Sequence, residues 1–67
     1  MSTPTNLERA IWAENALYDL CADTGCSLDD ALNDLLADLM HWASLAGRDF
    51  EHALTIARMH FNDEVRT

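Results

Sequence analysis

The chain has 67 residues, enough for one small domain, and a domain of this size buries only about 60% of its unfolded surface. Twelve Asp and Glu residues against four Arg give a net charge of −8, which argues against direct binding to nucleic acid or to anionic membranes. No apolar run approaches the roughly 20 residues of a membrane span, and the N-terminus lacks the features of a signal peptide. We therefore expect a cytoplasmic protein.

The first predicted helix covers about residues 6–23. Thr5 followed by Glu8 fits a capping box at its start, and Gly25 ends it. Trp12 projects away from the apolar arc of this helix, so we treat it as a candidate contact for another protein. The arc comprises Leu7, Ala10, Ile11, Ala13, Leu17, Tyr18, Leu20 and Cys21.

The two cysteines, Cys21 and Cys26, flank the end of this first helix. A bridge between them would close only a short loop and restrict little of the chain. Their spacing also differs from the C-x-x-C pattern of redox motifs and zinc knuckles. We expect two free thiols in a cytosolic protein.

The second predicted helix, about residues 28–46, carries the broadest apolar stripe. Ser27 is expected to accept a hydrogen bond from the first turn through its hydroxyl, and Gly47 ends the helix. We expect Leu35 and Leu39 to be core residues. A stripe this wide exceeds what one neighbouring helix covers, which favours neighbours on two sides or a partner chain. The heptad-like seam is Leu28, Leu32, Leu35, Leu39, Trp42 and Ala46, widened by Leu36, Met40 and Ala43.

The third predicted helix, about residues 50–64, follows Asp49 as its N-cap. Its stripe is Phe50, Ala53, Leu54, Ala57, Phe61 and Val65. Four apolar residues lie off or at the edges of the three stripes and form the candidate protein-binding set: Trp12, Leu45, Ile56 and Met59.

These elements predict an all-α fold in a single small helical domain over residues 1–67. The two short connections favour antiparallel neighbours, so we expect a three-helix up-down-up bundle, or a helical hairpin plus an extra helix. A chain this short without staples suggests that dimerisation completes the fold. We expect residues 1–4 and 65–67 to fray.

The candidate acidic face on the second helix comprises Asp30, Asp34, Asp38 and His41. Carboxylates and an imidazole on one helical face could ligate a divalent metal, with His52 or His60 as a further ligand. A solvated face beside an apolar stripe accounts for the same pattern, so we expect no metal. The chain has no phosphate-binding loop, nucleophile elbow or H-E-x-x-H motif, so we expect no cofactor and no enzyme.

Residues 32–64 resemble a pattern found in short open reading frames of bacteriophages, prophages and other mobile elements, a group without a settled activity. The resemblance covers about half the chain and implies a mobile-element origin, but no mechanism. It is carried by Asp34, Leu35, Leu36, Asp38, Leu39, His41, Gly47, Asp49, Phe50, Ala53, Ala57, His60 and Phe61.

The function that we predict is non-catalytic protein binding by a small acidic accessory or inhibitor protein that acts on a host protein. We expect the chain to form a homodimer. One alternative is an acidic mimic of nucleic acid that blocks a DNA- or RNA-binding host protein, since Asp30, Asp34 and Asp38 repeat about every 6 Å along the helix. A second alternative is a metal- or nucleotide-handling helical enzyme.

Overall fold

The computed structural model describes residues 5–65, which contain three α-helices and no strand. Helix α1 spans Asn6–Thr24, α2 spans Leu28–Ala46 and α3 spans Phe50–Val65. The all-α class is confirmed, and each helix end lies within one residue of its predicted position. None of these helices has the length and apolar character needed to cross a membrane. The fraying predicted for residues 1–4, 66 and 67 lies outside the described residues, whereas Val65 is helical.

The chain divides into two compact units, one within Met1–Leu36 and the other within Ala37–Thr67. The first contains α1 and the beginning of α2, and the second contains the remainder of α2 and α3. Each unit is therefore a pair of helical segments joined by a three-residue connection. A single domain completed by dimerisation remains a prediction.

The N-caps predicted for α1 and α3 are confirmed, although the return bond of a capping box, from the Thr5 amide to the Glu8 side chain, is absent among the described residues. The Thr5 Oγ1 atom accepts a 3.1 Å hydrogen bond from the Glu8 amide, and the Asp49 Oδ1 atom accepts a 3.0 Å bond from the His52 amide. Each bond satisfies a backbone donor that has no partner within its helix. Both helix starts therefore follow from local chemistry.

The role predicted for the Ser27 hydroxyl is wrong. This hydroxyl donates a 3.1 Å hydrogen bond to the Asp30 carboxylate, while the Asp30 amide bonds to the Ser27 carbonyl. A hydroxyl can donate as well as accept, and a carboxylate is a stronger acceptor than neutral groups. The nearby Asp30 side chain therefore sets the direction of the bond.

Glycines with positive φ end α1 and α2, as predicted. Gly25 has φ 76°, and its amide donates to the Cys21 carbonyl at 2.8 Å. Gly47 has φ 69°, its amide donates to the Ser44 carbonyl at 3.4 Å, and the Arg48 amide donates to the Ala43 carbonyl at 2.8 Å. The second pair of bonds is a Schellman motif, which turns the chain sharply from α2 towards α3.

Burial along α2 differs from the predicted seam. Within the described part of the chain the buried residues are Ala31 and Ala43, at 0% and 4% exposure. Leu35 is half-buried, whereas Leu39 is 41% exposed and Leu32 is also exposed, so Leu39 was wrongly predicted as a core residue. Hydrophobic periodicity identifies an apolar face, but not the residues of that face that lie nearest a neighbour. Small alanines are easily covered where segments approach closely, while longer side chains extend past the contact.

Candidate functional site: an apolar pocket at the turn between α2 and α3

A pocket of about 180 Å³ lies in the second unit, where α2 turns into α3. Its accessible lining is apolar, although two charged residues contribute atoms to it. The lining residues are Leu39, Trp42, Ala43, Arg48, Asp49, Phe50 and Ala53. The charged residues therefore contribute their carbon atoms, and the pocket offers contact surface without polar groups.

The sequence builds this pocket from small residues between large ones. Ala43 and Ala53 leave space that larger side chains would fill, while Leu39, Trp42 and Phe50 supply the walls. Leu39 and Trp42 are exposed and Phe50 is half-buried, so these walls offer uncovered apolar surface.

The Schellman motif fixes the geometry of the turn at this pocket. It bonds the Arg48 amide to the carbonyl of Ala43, and the residue that follows, Asp49, caps α3. Two consecutive residues of the lining, Arg48 and Asp49, are therefore held by backbone hydrogen bonds. The backbone at this side of the pocket is therefore fixed before a ligand arrives, which lowers the entropic cost of binding.

The size and lining of the pocket fit a single large apolar side chain. Cavities of about 150 Å³ with apolar walls hold a benzene-sized group. An aromatic or aliphatic anchor in such a pocket can form the centre of a protein interface. The chemistry available here is thus apolar contact.

The four candidate protein-binding residues are all exposed, and none lines the pocket. Leu45 is the most exposed at 91% and lies three residues after Trp42 on the same helix. Trp12 is 56% exposed on α1, while Ile56 and Met59 are exposed on α3. Of the four candidates, Leu45 is therefore the nearest in sequence to a residue of the pocket, whereas Trp12 lies in the other unit.

Sequence reasoning missed how much of the stripes themselves is uncovered. Fifteen large apolar residues of the described chain are exposed, so the four candidates are not a distinct set. Most belong to the stripes that were expected to be buried. They are Leu7, Ile11, Trp12, Tyr18, Leu28, Leu32, Leu36, Leu39, Met40, Trp42, Leu45, Ile56, Met59, Phe61 and Val65. The unusual breadth of the α2 stripe was the signal that pointed to this surface.

The candidate acidic face on α2 is exposed at all four positions, Asp30, Asp34, Asp38 and His41. The Asp30 carboxylate accepts the hydrogen bond from Ser27. Within residues 5–65 no three or more His, Cys, Asp or Glu side chains are grouped so that they could hold a metal ion.

Comparison of the chain with protein-family models, with curated proteins and with solved structures gave no match.

Proposed function

We propose that this chain is a non-catalytic protein-binding module that pairs with a second copy of itself through the apolar pocket between α2 and α3. The observation that carries the proposal is an apolar pocket on the same helix as Leu45, a leucine that is 91% exposed. A leucine so exposed offers an aliphatic anchor of a size that the pocket can hold.

A second copy fits because a two-fold interface needs the anchor and the pocket on one surface. In such an interface a residue that contacts a second residue of the partner is matched by the reverse contact, so Leu45 of each chain would enter the pocket of the other. Leu45 and the pocket residue Trp42 lie about one helical turn apart in the same unit, as this geometry requires.

Burial of exposed apolar surface supplies the driving force for pairing. No large side chain is fully buried in the described part of the chain, and domains of this length commonly need oligomerisation to complete a core. The net charge of −8 opposes pairing, but exposed charges are screened beyond about 8 Å at physiological salt. Pairing should therefore strengthen as salt is added, because the contact itself is apolar.

The test fills the pocket and measures the molar mass by light scattering across a concentration series. We expect the wild type to approach about 15 kDa, twice the chain mass of 7.5 kDa. Ala53→Met occupies the pocket and should raise the dissociation constant by about tenfold or more. Ala57→Met is the matched control, because it adds the same side chain one turn further along α3, outside the lining.

A second variant pair tests the anchor. Leu45→Gln should weaken pairing as Ala53→Met does, whereas Leu32→Gln, at another exposed leucine of α2, should not. A mass near 7.5 kDa for the wild type in low and moderate salt would contradict the dimer. Equal effects of Ala53→Met and Ala57→Met would contradict the assignment of the pocket.

The biological role that we propose is that of a cytoplasmic accessory protein of a mobile element that acts on a host protein. The resemblance of residues 32–64 supports the origin, and exposed Trp12 on α1 supplies an apolar contact in the other unit. A photoreactive tryptophan analogue at position 12 should capture a bacterial protein. Unlabelled wild type should compete for that capture, whereas unlabelled Trp12→Ala should not. If capture is lost at high salt, and is also lost in the double variant Asp34→Asn and Asp38→Asn, the acidic mimic would be supported instead.

A further inference from the structure

The two thiols of the first unit meet at the turn between α1 and α2. The Cys21 and Cys26 sulfur atoms are 3.4 Å apart, both side chains are half-buried, and both cysteines are free. Cys21 belongs to the last turns of α1 and Cys26 to the connection that follows. The contact lies within one unit, whereas the pocket lies in the other, so the two sites are separate features of the chain.

Local hydrogen bonds hold this approach. The Thr24 hydroxyl donates to the Leu20 carbonyl at 2.9 Å and accepts from the Cys26 amide at 3.3 Å. The Gly25 amide donates to the Cys21 carbonyl at 2.8 Å, with Gly25 in the left-handed region. The backbone is thus fixed on both sides of Gly25, and it returns Cys26 over the helix end towards Cys21.

We propose that Cys21 and Cys26 form a thiol–disulfide exchange site that reduces low-molecular-weight disulfides of the glutathione class and closes into an internal disulfide. A disulfide bond is about 2.05 Å long, so the two sulfur atoms must approach by only about 1.4 Å. This inference does not rest on the proposed function.

The reaction proceeds in two exchange steps. One cysteine thiolate attacks a sulfur of the small disulfide, which forms a mixed disulfide and releases one small thiolate. The other cysteine thiolate then attacks the protein sulfur of that mixed disulfide, which forms the Cys21–Cys26 bond and releases the second small thiolate. The two protons lost by the cysteines are taken up by the two released thiolates. The protein loses two electrons, and the small disulfide gains them.

The experiment equilibrates the reduced full-length chain with mixtures of reduced and oxidised glutathione, quenches exchange with acid and measures intact mass. The expected product of the wild type is a monomer lighter by two hydrogen atoms. Cys26→Ser should accumulate the mixed disulfide with glutathione instead, because no second thiol resolves it. Cys26→Ser combined with Ser27→Cys keeps the composition but moves the thiol by one residue, and it should close less readily.

A comparison in urea separates the folded geometry from mere closeness in sequence. If the fold holds the sulfur atoms together, the closure constant of the wild type should fall by at least about tenfold when urea unfolds the chain. This comparison uses the wild type alone and does not depend on whether a variant folds. Equal closure in buffer and in urea would overturn the proposal. Double glutathionylation or disulfide-linked dimers as the main native product would also overturn it.

Discussion

Gly47→Ala tests whether the end of α2 is built as the structure shows. Gly47 has φ 69°, in the left-handed region, and its amide and that of Arg48 close the Schellman motif. A Cβ atom added at Gly47 would meet no atom beyond its two chain neighbours within 4 Å. Steric contact with the rest of the molecule therefore does not change the free energy of unfolding, and the substitution acts through the backbone conformation alone.

The expected cost is about 1–2 kcal/mol in the free energy of unfolding, the penalty of a left-handed conformation for an L-residue with a Cβ atom. For a chain of this size, that corresponds to a fall in melting temperature of about 4–8 °C per kcal/mol. Gly47→Asn should cost less, because asparagine tolerates the left-handed region better than alanine. Gly25→Ala, at φ 76° with equally open space, should behave like Gly47→Ala.

The sign of the change in the free energy of unfolding shows whether Gly47 ends α2 in the left-handed region or continues the helix. If residue 47 continued the helix, alanine would stabilise the protein by about 0.8–1 kcal/mol, because glycine is a poor helix former. If residue 47 ends the helix in the left-handed region, alanine destabilises it. Urea and thermal unfolding followed by circular dichroism measure the difference for wild type, Gly47→Ala and Gly47→Asn. Unchanged or increased stability of Gly47→Ala would refute the assignment of the cap.

Three further predictions follow from caps, burial and titration. Asp49→Ala removes the acceptor of the His52 amide and should cost about 1 kcal/mol in urea unfolding, with most of it recovered in Asp49→Ser. In dilute solution, Leu39→Ala should lower the free energy of unfolding by less than the about 2–5 kcal/mol expected for a fully buried leucine, because Leu39 is 41% exposed. At concentrations where a partner covers Leu39, the same substitution should lower it by more. The pKa of Cys21 is raised, first by contact with Cys26 and then by partial burial and the nearby charges of Cys26 and Asp34. Because the unfolded chain then loses this proton first, stability in reductant should be constant near neutral pH and fall above about pH 8.5. In thermal melts, Cys21→Ala should remove the part of this loss of stability at high pH that comes from the Cys21 thiol.

The helix ends could be read from the sequence because capping is local. The capping residues act on atoms three or four residues away, and the identity of each residue nearly fixes its role; these residues are Thr5, Gly25, Gly47 and Asp49. Ser27 is the exception, since a hydroxyl can either donate or accept, and its direction depends on a neighbouring carboxylate.

The pocket could be predicted only in part. Five residues that were assigned to apolar stripes lie in the lining: Leu39, Trp42, Ala43, Phe50 and Ala53. Periodicity shows that such residues share a face, but it does not show whether that face is filled, covered or left open. The cavity depends on the shape left beside Ala43, and this requires coordinates.

The thiol contact had a signal in the sequence that was not used. When a helix ends at a glycine in the left-handed region, the residue after that glycine commonly contacts the residue four positions before the glycine. Around Gly25 these two residues are Cys26 and Cys21, whose sulfur atoms are 3.4 Å apart. The end of the helix therefore predicts the contact, whereas a search for the C-x-x-C spacing does not find it.

The same relation holds at Gly47, so two capping glycines place the two sites proposed for this chain. Gly25 returns Cys26 towards Cys21, and Gly47 returns Arg48 towards Ala43 at the pocket. Each site lies within one unit, so each glycine should govern only one of them. Gly25→Ala should lower the closure constant of the thiol pair and leave the dissociation constant of the dimer unchanged, and Gly47→Ala should do the opposite. The closure constant is measured by equilibration with glutathione and intact mass, and the dissociation constant by light scattering, in variants that retain the helical circular dichroism of the wild type. If either substitution changes both quantities equally, a general loss of structure accounts for the effects, and the two caps do not act separately.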